Sequence, residues 1–238
     1  MRMRTWCFGA AVICAPASAL NAQSPSAAIG YLTLISTPAG AMAPVVKQWM
    51  LPEPSRGVSI ETQWGHVSGA GGSLDAFTVG AALPLADGRA AVDFSAGLQK
   101  PSCDRFDCNG HFLASAGVEG RIIQAESGLA TFTLGLSGRI GFAKPTGVTL
   151  WTASSSAPLS LTFGKQGGVQ FVPFVSPGFG WGRISGGGRA ESGTRFMLGG
   201  GFGVVGTSSG VGVTLGAQKI FVDGGKTVFG AGITLSRL

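Results

Sequence analysis

Between Gly193 and Leu238 apolar residues alternate with small or polar ones in three successive runs, separated by Thr207-Ser208-Ser209-Gly210 and Asp223-Gly224-Gly225. A period of two places alternate side chains on opposite faces of a β-strand. In the first run Phe196, Leu198, Phe202 and Val204 share one face, and Arg195, Gly199, Gly201 and Gly203 share the other. In the second, Val211, Val213, Leu215, Ala217 and Phe221 oppose Gly212, Thr214, Gly216 and Gln218. In the third, Phe229, Ala231, Ile233 and Leu235 oppose Gly230, Gly232, Thr234 and Ser236. Each apolar face runs for about 10 residues, the length with which a tilted strand crosses the hydrocarbon of a bilayer.

The start of the chain supplies an address. Met1-Arg2-Met3-Arg4 is followed by a mostly apolar stretch from Thr5 to Ala15, then Pro16 and the small residues up to Ala22. This pattern predicts a secretory signal peptide over residues 1–22, cleaved between Ala22 and Gln23, with Ala19 as the alternative site. Its apolar core is too short to span a membrane as a helix. Removal takes Arg2 and Arg4 and no acid, leaving 15 basic against 11 acidic residues and a net charge of +4 rather than +6. Such a balance, without clustered Lys and Arg, excludes a nucleic-acid footprint. Two of the four cysteines leave with the signal, and Cys103 and Cys108 remain in one short stretch. In an oxidising compartment they are expected to form a disulfide. Zinc is the weaker alternative, because His111 is the single nearby third ligand.

The 23–56 stretch is a proline-rich lead-in, interrupted at Pro25, Pro38, Pro44, Pro52 and Pro54. Ile29 to Ser36 reads as an extra strand within it, and Ala41 to Leu51 as a short helix. From Gly57 the alternation becomes regular. Strands are expected over 57–66, 74–83, 89–98, 111–122, 129–142, 159–164 and 169–182, followed by the three runs above. Residues 143–158 and 186–192 read as long loops. Pro173 and Pro177 weaken the strand that carries them, since proline donates no ladder bond.

The composition narrows the architecture. The chain has 41 glycines in 238 residues and a positive mean hydropathy, yet no later apolar run is long enough for a membrane-spanning helix. In hydrocarbon every backbone N–H and C=O needs a partner within the protein, so apolar strands without a spanning helix imply a closed barrel. The fold class expected is therefore all-β: an antiparallel up-and-down transmembrane barrel over 57–238 with about 10 strands. Eight or twelve are the alternative counts, twelve arising if 29–36 and 148–153 are also strands. Connections alternate between short turns and longer loops, as in barrels whose short turns face the periplasm.

These features resemble the small Gram-negative outer-membrane β-barrels, of the outer-membrane protein A and OmpW types. The resemblance covers Gly57 to Leu238 and includes the terminal run Phe229 to Leu238, which is similar to the family's sorting signal. The chain departs from the family in ending on Leu238 and in having one tyrosine, so Trp64, Trp151, Trp181, Phe142, Phe163, Phe171 and Phe221 are expected to form the aromatic girdles. The resemblance implies residence in the outer membrane. It also implies outer-membrane lipid, the barrel-assembly machinery and periplasmic chaperones as partners.

No cofactor, metal site or enzymatic activity is expected, since nucleophile elbows, zinc-protease motifs and phosphate loops are all missing from the sequence. His66 and His111 fall at expected outer strand ends, where barrel hydrolases keep their catalytic groups. The inward face carries Glu61, Asp93, Glu119, Arg121, Arg139 and Arg195. Charges in a narrow barrel must pair or stay hydrated, so they imply either a structural salt-bridge network or a narrow passive pore. The glycines of the last three strands favour an open wall, and Arg121 is the expected cation for Asp93 and Glu119. A secreted or surface β-sandwich adhesin is the alternative reading from another class.

Overall fold

A computed structural model describes residues 45–238 apart from 53–55, 70–71, 104–109, 129, 145–148, 166, 187, 222–226 and 237–238. The proposed signal cleavage site and the extra strand at 29–36 lie outside the described residues. Eleven strand segments follow one another: β1 (Ser59–Gly69), β2 (Gly72–Leu85), β3 (Ala90–Cys103), β4 (His111–Ser127), β5 (Ala130–Ala143), β6 (Thr149–Ser156), β7 (Leu159–Phe163), β8 (Val169–Gly186), β9 (Arg189–Gly206), β10 (Val211–Ile220) and β11 (Thr227–Ser236).

Each strand pairs antiparallel with its neighbours, and β11 returns to β1, from Ser59 opposite Ser236 to Val67 opposite Val228. The segments β6 and β7 occupy one position in the wall. Ser156 faces Ser137 and Leu159 faces Leu134 of β5, and both segments pair in continuous register with β8. They are one strand, interrupted at Ala157-Pro158, where the missing proline N–H breaks the ladder. The result is a closed ten-stranded antiparallel barrel, a single sheet with no free edge. Closure replaces the two-sheet sandwich alternative.

Two expected loops are strand instead. Residues 149–156 extend the sixth strand rather than adding a strand of their own, and 186–192 lie largely in β8 and β9, each 18 residues long. Both stretches lack the apolar alternation because serine and glycine occupy both faces, and backbone pairing with the neighbouring strands holds them extended. At the near end, where β1 starts and β11 finishes, the connections span 86–89, 128–129, 164–168 and 207–210; at the far end they span 70–71, 104–110, 144–148, 187–188 and 221–226. The contrast between long loops and short turns is thus smaller than the sequence implies.

The predicted faces are the observed faces. Outward side chains such as Phe77, Leu136, Ile140, Phe202, Leu215 and Phe229 are exposed, while their strand neighbours Thr78, Thr133, Thr214 and Val228 are buried. An apolar surface of this extent, encircling a closed sheet, fits hydrocarbon and not water. One bulge, between Arg121 and Ile123 of β4, leaves both Ile122 and Ile123 on the outer surface. Of the seven aromatic side chains expected in girdles, Trp64 lies at the middle of β1, and five others fall at two levels. Trp151, Trp181 and Phe221 sit toward the far end, and Phe163 and Phe171 toward the near end.

Candidate functional site: a plugged and charged lumen

The lead-in does not stay outside the barrel. Residues 45–51 enter the lumen with a 3-10 turn at Gln48–Met50, and Val45, Val46, Lys47, Trp49, Met50 and Leu51 are all buried there. Wall glycines make the room. A Cβ on Gly135 would overlap the Trp49 ring, one on Gly203 would lie 2.6 Å from Val46 Cγ2, and one on Gly232 would lie 2.9 Å from Val45 Cγ1. These three inward glycines therefore serve as sockets for the inserted segment rather than leaving a wall open.

Polar contacts fix the segment. Val46 N–H donates to Thr214 Oγ1 at 3.2 Å, Thr133 Oγ1 donates to the Met50 carbonyl at 3.3 Å, and Arg121 Nη1 donates to the Leu51 carbonyl at 3.4 Å. Around them Val46, Trp49, Met50 and Leu51 form an apolar cluster with Val172, Phe174 and Val205 of the near-end wall. Such a cluster removes the apolar face of the segment from water against β8 and β9.

The predicted luminal charges divide into three groups. Glu61, Asp93 and Glu119 are buried and point inward. Lys47 Nζ donates to Glu61 Oε2 at 2.5 Å and stands 3.7 Å from Glu119 Oε1, while Gln63 Nε2 donates to the same Glu61 oxygen at 3.3 Å. Arg139 pairs with Asp93. These two residues flank Gly117 in register, and a Cβ there would come within 2.8 Å of Asp93 Oδ2 and 3.2 Å of Arg139 Nε. The ion pair thus bridges across β4 through the space that a glycine leaves. Arg121, expected to neutralise Asp93 and Glu119, instead turns to the near mouth, where it meets Gln124 and the Leu51 carbonyl. The bulge after Arg121 accompanies this different direction. Arg195 lies apart, with Nη1 donating to the Thr194 carbonyl at 2.7 Å.

The cation that meets Glu61 and Glu119 comes from the lead-in, where no periodicity signals it. Reading Lys47 from sequence would have required knowing that its segment folds back into the lumen. Above the segment lies a cavity of about 100 Å³ lined by Lys47, Asp93, Glu119 and Arg139 together with Ser137, Ser154, Ser156 and Ser176. At the far end most inward side chains are apolar, with Val67, Leu74, Leu113, Leu150, Ile184, Ile220 and Val228 all buried beside the Gln99–His111 pair. An apolar collar in a narrow lumen disfavours water and ions.

The two histidines lie on opposite faces of the wall. His66 faces outward, its Nδ1 2.9 Å from Asp75 Oδ1 and its ring stacked on Trp64. His111 faces the lumen and is buried, with Nε2 2.7 Å from Gln99 Oε1. They do not converge on a common centre. Cys103 ends β3, whereas Cys108 is outside the described residues, as is any bond between them.

The chain folds as a closed ten-stranded antiparallel β-barrel with an apolar outer face. Among solved structures it is similar to the outer membrane enzyme PagL (10% identity over 74% of this chain and 99% of that one, TM-score 0.38). It is also similar to the β domain of the Bordetella autotransporter BrkA (13%, 77% and 100%, 0.46) and to Ail, the attachment invasion locus protein of Yersinia pestis (14%, 75% and 97%, 0.29). These likenesses reach the outline of a barrel and no further. No family model and no curated protein matches the chain.

Proposed function

We propose that the protein is a structural outer-membrane barrel whose lumen is closed at rest by its own residues 45–51, rather than a standing passive pore. The observation that carries this reading is the inserted segment itself, with Trp49 seated at Gly135 and Lys47 bonded to Glu61. An ion crossing the lumen would have to displace that segment and then pass the apolar collar, with desolvation opposing it at both points. In this reading the inward charges anchor the plug and are not a selectivity filter.

The test is planar-bilayer conductance of the purified protein beside a variant lacking residues 45–51, together with fractionation and heat-modifiable migration in unboiled gels. A silent full-length protein and a conducting deletion variant, both recovered with outer membranes, are the expected results. Steady conductance by the full-length protein would overturn the closed lumen, and recovery in the soluble fraction would overturn the membrane placement.

A further inference from the structure

The buried luminal charges do not balance. Lys47 and Arg139 face three carboxylates, Glu61, Asp93 and Glu119, of which Asp93 is 4% exposed and the two glutamates 6%. With every group ionised the cluster carries a net charge of −1. The chain between the N-terminal arginines and Lys47 adds no charge to it, because residues 5–46 contain no Asp, Glu, Lys, Arg or His, and Arg56 is exposed. Arg121 is occupied at the near mouth, and Arg195 is bonded to the Thr194 carbonyl. An excess charge enclosed away from water is costly unless something compensates it.

A second observation points to the place. Asp93 Oδ1 is taken by Arg139, but its buried Oδ2 has no hydrogen-bond partner among the described residues. Glu119 keeps Lys47 at 3.7 Å, beyond ordinary hydrogen-bond reach. Both carboxylates line the cavity of about 100 Å³, and the hydroxyl-bearing Ser154 and Ser156 line it with them. That volume suits one small ion with one or two waters, given roughly 30 Å³ per water.

We propose that this cavity binds a small monovalent cation, an alkali ion held by Asp93 Oδ2 and the Glu119 carboxylate, with serine hydroxyls or water completing an all-oxygen shell. Oxygen ligands suit a hard cation, and an excess of one negative charge matches one positive charge. The site rests on the plugged-lumen reading, because Lys47 and the enclosure both come from the inserted segment.

The test folds the full barrel from urea in sodium, potassium or choline chloride at equal ionic strength and measures its thermal midpoint. Choline, a quaternary ammonium whose charge is sheathed in methyl groups, cannot take the close carboxylate and hydroxyl oxygen shell that an alkali ion takes. A midpoint raised by roughly 2–4 °C in the alkali salts, saturating with concentration, is the expected result. Glu119→Gln keeps the Asp93–Arg139 pair yet neutralises the cluster, and Asp93→Asn neutralises it at the other carboxylate, so either variant should lose the difference between alkali ion and choline. Equal midpoints in all three salts, or a difference that survives in Glu119→Gln, would overturn the site. So would a midpoint that responds to pH and not to the alkali ion, since a proton would then supply the missing charge. Conductance of the full-length protein reports separately on the plug, so failure of the cation site and failure of the closed lumen give different readouts.

Discussion

Trp49 occupies the space that a side chain on Gly135 would fill, so a residue of the lead-in and a residue of β5 are matched in shape across the lumen. The same glycine approaches the backbone of β4, where an added Cβ would come within 2.6 Å of the Gly120 carbonyl oxygen. Gly135→Ala is therefore expected to destabilise the barrel by about 1–3 kcal/mol through overpacking. Gly138→Ala, on the same strand but with its nearest neighbour 3.9 Å from the added Cβ, should change stability by less than about 0.5 kcal/mol. Urea unfolding followed by gel mobility measures both, and equal effects would remove the socket argument.

Lys47 is the buried partner of two carboxylates from different strands. Lys47→Met leaves Glu61 and Glu119 without it, and breaking a buried pair by removing one member costs about 3–5 kcal/mol. Adding Glu61→Gln to Lys47→Met should recover part of that loss, because the orphaned charge disappears. A double variant no more stable than Lys47→Met would show that Lys47 acts by packing alone.

The membrane-facing register has its own test. Leu136 is 56% exposed on the outer surface near mid-strand, and Leu136→Arg should cost about 2–4 kcal/mol in a bilayer. Ser68, exposed at the far rim of β1, should accept arginine for about 0–1 kcal/mol. Folding equilibria in vesicles report the two costs, and a reversed order would shift the membrane away from this belt. Thr133 makes a poor inward control for this comparison, since it is fully buried beneath the inserted segment and bonded to the Met50 carbonyl.

For Cys103 and Cys108, mass spectrometry of the non-reduced mature protein should find them linked to each other, with neither a free thiol nor bound zinc. Export to an oxidising compartment is the basis of this expectation. Two free thiols would contradict it.

Much of the wall was legible in the sequence because strand faces follow from a local rule. Phe132, Leu136 and Ile140 face outward and Thr131, Thr133 and Gly135 face inward, as the period of two requires, and tertiary contacts do not alter that alternation. The sequence also determined that the sheet must close, since so much outward apolar surface without a spanning helix leaves few other ways to pair the backbone in lipid. Residues 149–156 escaped this reading because Ser154, Ser155 and Ser156 show no alternation, and their strand exists through pairing with β5 and β8. What fills the lumen was decided only by the tertiary structure. Val45 to Leu51 have no periodicity, and their place depends on glycines contributed by β5, β9 and β11. The partner of each buried carboxylate was likewise a matter of three-dimensional reach: Arg139 crosses over Gly117 to Asp93, and Lys47 arrives from a segment 14 residues before Glu61 in the chain. Local alternation fixes on which side of the wall a charge lies, but pairing energy falls off over a few ångströms and depends on which distant segments the fold brings within that distance.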